Sequence, residues 1–272
     1  MHIPADQGKS RVNSVARALR ILECFTRSEP EQTAAQLAER VSLNRGTCHR
    51  LIATMIDSGW LQKVGPSHYR PTAKVFRIGA ATIANLDLRD EARPILRRLA
   101  VELGDTTYLM VPEPEGALCI EKVEGKYPVQ VNYPDIGMTM PFHIGAGAHA
   151  ILAYHPEYLD TAVRQAADVE AFTNATPRAK TQIVAKIESV RKNGYALAIR
   201  EVSPDVGAVG APIFGADSRV VGAVSVGATM DRLHEVRLEM VITAVKAASN
   251  EISKVLGYHE DGETKDALWH TR

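Results

Sequence analysis

The stretch that decides the fold is residues 33–61, which read TAAQLAERVSLNRGTCHRLIATMIDSGWL. Thr33 and Gln36 have the spacing of a capping box, in which each side chain bonds a backbone amide at the start of a helix. Asn44 is a preferred N-cap residue for a second helix, and Gly59 is typical of a helix end. The sequence therefore predicts two short helices that are separated by a tight turn.

The second of these helices has two chemically different faces. Its apolar face carries Cys48, Leu51, Ile52 and Met55, and its polar face carries Arg45, Gly46, His49 and Arg50. A short helix with basic and donor groups near its N-terminus, braced by a preceding helix, is typical of recognition helices that enter the major groove of DNA. A helical hairpin with a merely solvated basic face is the alternative interpretation.

A β-hairpin is predicted directly after this helix. Residues 60–64 and 68–70 are short strand-like runs, and the segment 65–67, Gly-Pro-Ser, is a turn signal. A hairpin in this position is the wing of a winged helix-turn-helix. Gly46 would let DNA approach the helix backbone closely. The residues that we expect to contact DNA are Thr33, Asn44, Arg45, Gly46, Thr47, His49, Arg50, Lys63, His68 and Arg70.

The charge of the chain is divided unevenly. Its 272 residues give room for two modest domains, and 32 basic residues balance 32 acidic ones. Residues 1–75 carry 11 Lys and Arg against 6 Asp and Glu, a net charge of +5, whereas the remainder carries 21 against 26, a net charge of −5. A basic head on an acidic body suits nucleic-acid contact by the head alone.

Cysteine usage and hydropathy indicate the compartment. The three cysteines, Cys24, Cys48 and Cys119, are far apart in the sequence, and no CxxC or Cys/His cluster supports a disulfide framework or a zinc site. No apolar run approaches about 18 residues, and residues 1–8 lack a signal-peptide pattern. We therefore expect a cytoplasmic protein with no membrane partner, no metal and no cofactor.

Helical patterns flank the helix-turn-helix. A helix capped by Ser14 and running to about Thr26 is predicted to pack behind it. Residues 73–89 read as a linker helix, whose apolar face would pack either against a second copy of the chain or against the chain's own domains. Residues 258–272 are polar and are predicted to be a mobile tail.

In the body of the chain, helical and strand patterns alternate. Helices are predicted over 90–103, 145–155, 156–167, 178–193 and 231–256, and strands over 106–111, 117–123, 129–133, 195–200, 209–214 and 220–226. Strands in two groups with helices between them indicate an α+β domain, in which helices pack on the faces of one antiparallel sheet.

Several separated motifs follow one another in a characteristic order. They are SVARALRIL (14–22), TCHRL (47–51) and GWL (59–61) in the head, and MPFHIGAG (140–147), GYAL (194–197), SPDV (203–206), APIF (211–214) and VVGAVSV (220–226) in the body. With these motifs the chain resembles the IclR family of bacterial transcriptional regulators over about 13–257.

The resemblance implies three parts and a symmetric assembly. The parts are a winged helix-turn-helix DNA-binding domain (13–72), a linker helix (73–89) and a GAF-like effector-binding domain with an antiparallel sheet and flanking helices (90–257), which the polar tail (258–272) follows. The family also implies homodimers, often paired into tetramers, on pseudo-palindromic operators of double-stranded DNA.

The resemblance also implies a pocket for a small-molecule effector. Its candidate residues, carried over position by position, are Phe142, Gly145, Ala146, Val206, Ala208, Ser225 and Gly227. The small-acid sensors of the family have an acid, a cysteine and two serines at the positions occupied here by Ala198, Ala208, Ser225 and Gly227. A lining with one polar group predicts a larger or less polar ligand, such as an aromatic or aliphatic acid. The Gly-rich entry into the helix at 145–147 suits either a carboxylate or tight helix–sheet packing.

Two positions depart from the family pattern. Ala148 and His149 stand where the family usually has Gly-Lys, which bears on the detail of that helix. Gly46 stands where serine or threonine is common, which suggests a different base preference.

An enzyme is the competing class of protein. Ser203, Asp205 and His143 are a nucleophile-like set, but no nucleophile elbow, phosphate loop, dinucleotide fingerprint or zinc signature accompanies them. His143 is interpreted as a structural histidine bonded to a backbone carbonyl, with a ligand contact as the alternative, and Cys119 as a core residue. The sequence therefore predicts a ligand-responsive transcriptional regulator without catalytic residues. A ligand-binding or enzymatic GAF-like domain with a vestigial head is the alternative.

Overall fold

The chain divides into two compact units, Met1–Asn85 and Leu86–Arg272, in a computed structural model. The structure describes residues 12–26, 29–83 and 87–259.

The first unit is a winged helix-turn-helix. Its elements are α1 (Asn13–Glu23), β1 (Gln32–Thr33), α2 (Ala34–Arg40), α3 (Arg45–Asp57), β2 (Leu61–Val64), β3 (His68–Pro71) and α4 (Ala73–Ile83). The three strands form an antiparallel sheet in the order β1-β3-β2. Strand β1 was not predicted, because two residues are too few to show an alternating pattern.

The predicted starts of α2 and α3, the two helices of the helix-turn-helix, are confirmed. Thr33 and Gln36 form the capping box of α2, and the Asn44 side chain accepts the Thr47 amide at the start of α3. Gly59 follows the end of α3 with a φ of +74°, a conformation that glycine adopts without strain.

Helix α1 differs from its prediction at both ends. It begins at Asn13 and has no side-chain cap, so Ser14 lies inside it. It ends at Glu23 rather than near Thr26, because the Thr26 hydroxyl and amide both bond Glu29 and form a turn. The buried core of this unit comprises Ile21, Ala34, Leu37, Ala38, Val41, Cys48, Ile52, Met55 and Leu61.

The second unit is an antiparallel sheet between two layers of helices, which confirms the predicted α+β class. Its elements are α5 (Asp87–Leu103), β4 (Thr106–Glu113), β5 (Gly116–Val123), β6 (Thr139–Met140), α6 (Ala146–Leu152), α7 (Leu159–Asp168), α8 (Lys180–Asn193), β7 (Ala196–Ile199), β8 (Val206–Phe214), β9 (Val220–Thr229) and α9 (Glu235–Val255). The strand order is β6-β5-β4-β9-β8-β7. Helices α5 and α9 pack on one face, and α6, α7 and α8 on the other.

Two predictions about the second unit need correction. Residues 129–133 are not a strand, because their polar groups bond side chains of β4 instead of a neighbouring strand. The short strand that pairs with β5 is β6, where Met140 lies opposite Ala117. Other boundaries moved by a few residues: the helix predicted from 231 begins at Glu235 after a 3₁₀ turn.

The linker prediction is only partly described by the structure. Helix α4 reaches Ile83, and residues 84–86 lie outside the described residues. Residues 87–89, which the sequence assigned to the linker, begin helix α5. The predicted tail also lies outside the described residues from position 260 onward.

Candidate nucleic-acid interface and effector pocket

The polar face of α3 is exposed and basic. Arg45, Gly46, His49 and Arg50 are exposed, whereas Cys48, Ile52 and Met55 on the opposite face are buried. Within the described part of the chain, the side chains of Arg45, His49 and Arg50 have no hydrogen-bond or ion-pair partner. Their donors are therefore available to an external partner.

Gly46 is not required by the packing of the unit. A β-carbon at this position would meet only the Asn44 side-chain oxygen, at an ordinary distance of 3.7 Å. The position has a negative φ, so glycine is not needed for the backbone either. The missing side chain therefore matters to something outside the chain or not at all.

Two of the predicted DNA contacts already have structural roles. The Thr33 hydroxyl accepts the Gln36 amide, and the Asn44 side-chain oxygen accepts the Thr47 amide. Among the described residues, the Asn44 side-chain NH₂ group has no acceptor and remains available at the start of α3. Thr47 lies at the same end of the helix and is half-buried.

The wing does not bring its three predicted contacts onto one face. In the β2–β3 register Lys63 pairs with Tyr69, while Val64 pairs with His68. Because neighbouring residues of a strand point to opposite faces, Lys63 projects away from the face of His68 and Arg70. All three side chains are exposed, and Arg70 lies 3.7 Å from Glu31.

The C-terminal end of α3 is bonded to the start of α4. The Thr72 hydroxyl donates to the Gly59 carbonyl (2.6 Å), and the Lys74 ammonium donates to the Ser58 carbonyl (2.8 Å). The same ammonium lies 4.8 Å from the Trp60 ring centre. A cation at a helix C-terminus satisfies free carbonyls and interacts favourably with the negative end of the helix dipole. These bonds fix the end of α3 relative to the start of α4.

Large apolar side chains are exposed on α1 and α4. They are Val15 and Leu19 on α1, and Phe76 and Ile78 on α4, where Phe76 is 72% exposed. Burying side chains of this size against a partner would remove apolar surface from water.

In the second unit, the predicted effector residues lie on the sheet face beneath α6. Ala198 pairs with Ala208, and Ala208 pairs with Gly227, which gives a row of small residues across three strands. Val206 lies two residues from Ala208 and points to the same face. Ser225 points to this face beside Gly227, is 5% exposed, and its hydroxyl has no hydrogen-bond partner among the described residues.

The start of α6 packs directly on this sheet face. A β-carbon on Gly210 would lie 2.7 Å from the Ala146 carbonyl, and one on Gly147 would lie 3.3 Å from the Ser225 hydroxyl and 2.6 Å from the Met110 sulfur. Tight helix–sheet packing therefore accounts for Gly147. This packing is one of the two interpretations that the sequence offered for the Gly-rich entry.

The segment 124–138 covers part of the row of small residues. Val131 lies 3.2 Å from where a β-carbon of Gly227 would stand, and the Tyr108 hydroxyl donates to the Val131 carbonyl. The segment is also held by Gln130, which accepts the Thr106 hydroxyl (2.7 Å) and donates to the Gly104 carbonyl (3.2 Å). This cover was not predicted, because the alternating pattern of residues 129–133 favours a strand.

The amide at the entry to α6 already has an anionic partner within the chain. Gly145 adopts a φ of +87°, and its amide donates to the Glu201 carboxylate (3.0 Å). The Lys186 ammonium lies 2.7 Å from the other carboxylate oxygen of Glu201. Glu201 was not among the predicted site residues, although it is an isolated acid two positions after the apolar run 195–199.

Phe142 and the two core histidines are fully buried. The Phe142 ring stacks on Tyr158 at a centroid distance of 4.8 Å. His143 is buried as expected, but its Nδ1 lacks the backbone hydrogen bond that we expected. Burial lowers the pKa of His143 to about 4 and also lowers the pKa of His149. Cys119 is a buried core residue, and burial raises its pKa to about 12.

The nucleophile-like set is not assembled. The Ser203 hydroxyl accepts the backbone amide of Asp205 (3.5 Å), which is ordinary turn bonding. No hydrogen bond joins either residue to His143 in the part of the chain that the structure describes. The described residues also contain no group of three or more His, Cys, Asp or Glu that could hold a metal ion. Over those same ranges, no helix is long and apolar enough to cross a membrane.

The fold and the two sites define a class: a winged-helix DNA-binding protein with a ligand-sensing α+β domain. The chain matches the family model for the bacterial transcriptional regulator IclR C-terminal domain over residues 80–254 and the IclR helix-turn-helix domain over residues 14–65. The chain therefore belongs to the IclR family of DNA-binding transcriptional regulators, as the resemblance implied.

Relatives match along nearly their whole length. The HTH-type transcriptional regulator XynR of Escherichia coli K12 is 28% identical over 248 residues, which cover 91% of this chain and 98% of that protein. A crystal structure of an IclR transcriptional regulator from Silicibacter sp. TM1040 has a TM-score of 0.76 and 28% identity, with 90% and 96% of the chains covered. An IclR homologue from Microbacterium hydrocarbonoxydans, in complex with 4-hydroxybenzoate, has a TM-score of 0.77 and 21% identity, covering 89% and 98%.

Proposed function

We propose that this regulator binds operator DNA through α3 and the wing. The exposed basic face of α3, whose donors have no partner within the described chain, is the observation that carries the proposal. Arg45, His49 and Arg50 would read bases or phosphates, Gly46 would admit the DNA backbone, and the wing residues would contact flanking phosphates. Thr33, Asn44 and Thr47 would position the helix ends.

The operator would be pseudo-palindromic, because we propose a homodimer, with pairs of dimers as the larger assembly. The exposed apolar side chains of α1 and α4 support the dimer: burying them against a second copy removes apolar surface from water. Two recognition helices related by a two-fold axis read two half-sites about one or more helical turns apart.

The effector is proposed to be a small aromatic or aliphatic acid bound near the row of small residues. The apolar floor, the free Ser225 hydroxyl and the 4-hydroxybenzoate in the Microbacterium homologue support this class. The contacting residues would be Gly145, Ala146, Val206, Ala208, Ser225 and Gly227, with Phe142 supporting them from the core. Glyoxylate and pyruvate should bind weakly or not at all in a calorimetric titration, and tight binding of either would contradict the assignment.

The mechanism we propose is a two-state one. Effector binding changes the packing of the second unit, and the linker passes the change to the head, where α4 is bonded to α3. We propose no catalytic activity, since Ser203 and Asp205 only form a turn. The cytoplasm is the proposed compartment because the DNA is there.

The test of DNA binding is fluorescence anisotropy with the DNA upstream of the protein's own gene, over a range of salt concentrations. Binding should be saturable, fall with salt and outcompete random duplex. Arg50→Ala should weaken binding about tenfold to a hundredfold, as for the loss of one or two base or phosphate contacts. Arg219→Ala is the matched control, because Arg219 is an exposed arginine of the acidic body.

The outcomes separate the classes of protein. Equal DNA binding by Arg50→Ala and the parent would overturn the role of α3. Absence of any preferred sequence, even in a selected random library, would favour the vestigial-head alternative.

A further inference from the structure

A buried polar cluster lies at the entry to α6. It comprises Glu201, Lys186, His149, His143 and Gly145, and is called the Glu201 cluster below. The Glu201 side chain is 1% exposed and has two direct partners: the Gly145 amide on Oε2 (3.0 Å) and the Lys186 ammonium on Oε1 (2.7 Å). A buried carboxylate needs such partners because an isolated charge is costly in the protein interior.

Within the described residues, both ring nitrogens of His149 lack a hydrogen-bond partner, as does Nδ1 of His143 in the same cluster. The His149 side chain is 1% exposed, and its Nε2 lies 3.7 Å from the Glu201 Oε2 that accepts the Gly145 amide. The His143 carbonyl is nearby, but neither ring nitrogen of His149 makes a hydrogen bond of normal geometry. A neutral buried imidazole that makes no hydrogen bond leaves its polar atoms unsatisfied. On protonation, the ring could donate a charge-assisted hydrogen bond to the neighbouring carboxylate.

The charges that face His149 come from several elements. Glu201, after β7, favours the imidazolium, whereas Lys186 on α8 opposes it. A positive charge on His143 and one on His149 repel each other. The charge of Arg178, which precedes α8, also disfavours protonation of His143. Burial is the largest influence and lowers the pKa of His149, so the ring is neutral at neutral pH and is charged only in acid.

We propose that protonation of His149 draws the Glu201 carboxylate from the Gly145 amide to the imidazolium, so that the rim of the effector pocket responds to acid. Glu201 is then a positioning residue, because it acts on the pocket through Gly145. This inference rests on the proposed effector site, to which Gly145 belongs. Gly145 has a left-handed φ of +87° that its bond to Glu201 helps to hold, and release of that bond frees the entry to α6.

The exchange has a consequence for the ligand. At neutral pH the Gly145 amide is occupied by Glu201, so an effector carboxylate does not compete for it. In acid the amide becomes available while the effector unit gains one positive charge. The site then favours an anionic ligand more strongly than it does at neutral pH.

The experiment is an NMR titration of the full chain, deuterated and labelled at glycine nitrogen and histidine carbon, from about pH 8 to pH 4. The Gly145 amide and the His149 ring should move together, with one midpoint below about 6.5, the ordinary histidine value. In Glu201→Gln and in His149→Gln the Gly145 movement should be lost. His155→Gln is the matched control, because His155 also pairs with a glutamate, Glu157, elsewhere in the unit, and it should leave the Gly145 titration unchanged.

A Gly145 amide that stays fixed over this range, or that titrates equally in His149→Gln, overturns the proposal. If a variant of the buried residues does not fold, Lys186→Met is the second test, since Lys186 is partly exposed. Loss of that cation should raise the common midpoint, and an unchanged midpoint counts against the cluster. The titration needs neither DNA nor effector, so it tests this inference independently of DNA binding. If Gly145 and His149 titrate together but the protein prefers no operator sequence, the proposed function is wrong and this inference stands.

Discussion

At the scale of single residues, Gly46 shows how a position without a packing role can report on DNA. Its backbone would accept any residue, and a β-carbon would fit beside Asn44. Glycine inside a helix is less stable than alanine by roughly 0.5–1 kcal/mol. No contact within the described part of the head explains the glycine, and close approach of DNA is the role that we propose for the missing side chain.

Gly46→Ala should stabilise the head and weaken its DNA binding. We expect a gain of up to about 1 kcal/mol in the free energy of unfolding, measured by denaturant, because the helix loses less backbone entropy on folding. Operator affinity should fall about tenfold in the anisotropy assay if the new methyl group meets the DNA backbone. A stabilised variant that binds the operator as tightly as its parent would show that DNA does not approach this position.

The buried histidines predict a pH dependence of stability. The folded-state pKa of His143 is about 4, below its unfolded value of about 6.5, so the unfolded chain binds the proton first as pH falls. Stability is therefore fully present above about pH 6.5 and decreases toward pH 4, where His143 alone should cost about 3 kcal/mol. His149, whose pKa is also lowered, acts in the same direction.

The measurement is urea unfolding at a series of pH values. His143→Phe should unfold with a smaller loss of stability between about pH 6.5 and pH 4 than its parent. His68→Gln, at an exposed histidine of the wing, should keep the parent's slope. If the free energy of unfolding falls equally with pH in His143→Phe and in its parent, His143 is not held neutral in the folded protein.

At the scale of elements, the contact between α3 and α4 joins recognition to the linker. Lys74 satisfies a carbonyl at the end of α3 and lies over Trp60, while Thr72 bonds Gly59. A hydrogen bond of this kind contributes about 1 kcal/mol, and a cation over an aromatic ring adds about 0.5–1 kcal/mol at an exposed site. These contacts are local and belong to one unit, so a displacement of α4 is felt directly at the recognition helix.

Lys74→Met should loosen the end of α3 without unfolding the head. Its apolar stem is kept over Trp60, but the bond to Ser58 is lost, at a cost of about 1 kcal/mol. Hydrogen exchange should be faster at residues 57–60 and unchanged at 45–48. Lys74→Arg, which retains a cation, should restore most of the protection. If exchange at residues 57–60 is equally fast in the parent, Lys74→Met and Lys74→Arg, the proposed coupling between α3 and α4 is wrong.

At the scale of the whole molecule, the exposed apolar residues of α1 and α4 predict the assembly. Phe76 and Leu19 would each remove a large side chain from water in a dimer, at about 25 cal/mol per Å² of apolar area buried. In a two-fold dimer, two recognition helices bound to linked half-sites would add their contacts and increase specificity.

Phe76→Glu should convert the parent's dimers to monomers at micromolar concentration in analytical ultracentrifugation, because a charge would be buried at the interface. Affinity for a two-half-site operator should fall, while binding to a single half-site should change little. Val129→Glu is the control: it places the same charge at an exposed apolar residue of the second unit and should leave the dimer intact. A dimer that survives both changes would place the interface elsewhere.

What the sequence by itself determined is local. Caps at Thr33 and Asn44, the apolar and basic faces of α3, and most strands of the body follow from side-chain spacing within a few residues. The family and its two-domain organisation also followed, because ordered motifs survive over the whole chain.

The tertiary structure alone decided the contacts between distant segments. Gly145 and Glu201 are 56 positions apart, and Val131 in the segment 124–138 lies against Gly227 of β9. The register of β2 and β3 placed Lys63 on the face opposite His68. Periodicity carries no information about such pairings, because they are fixed by sheet register and by the need to satisfy buried polar groups, such as the Glu201 carboxylate, with whatever donor the fold brings near.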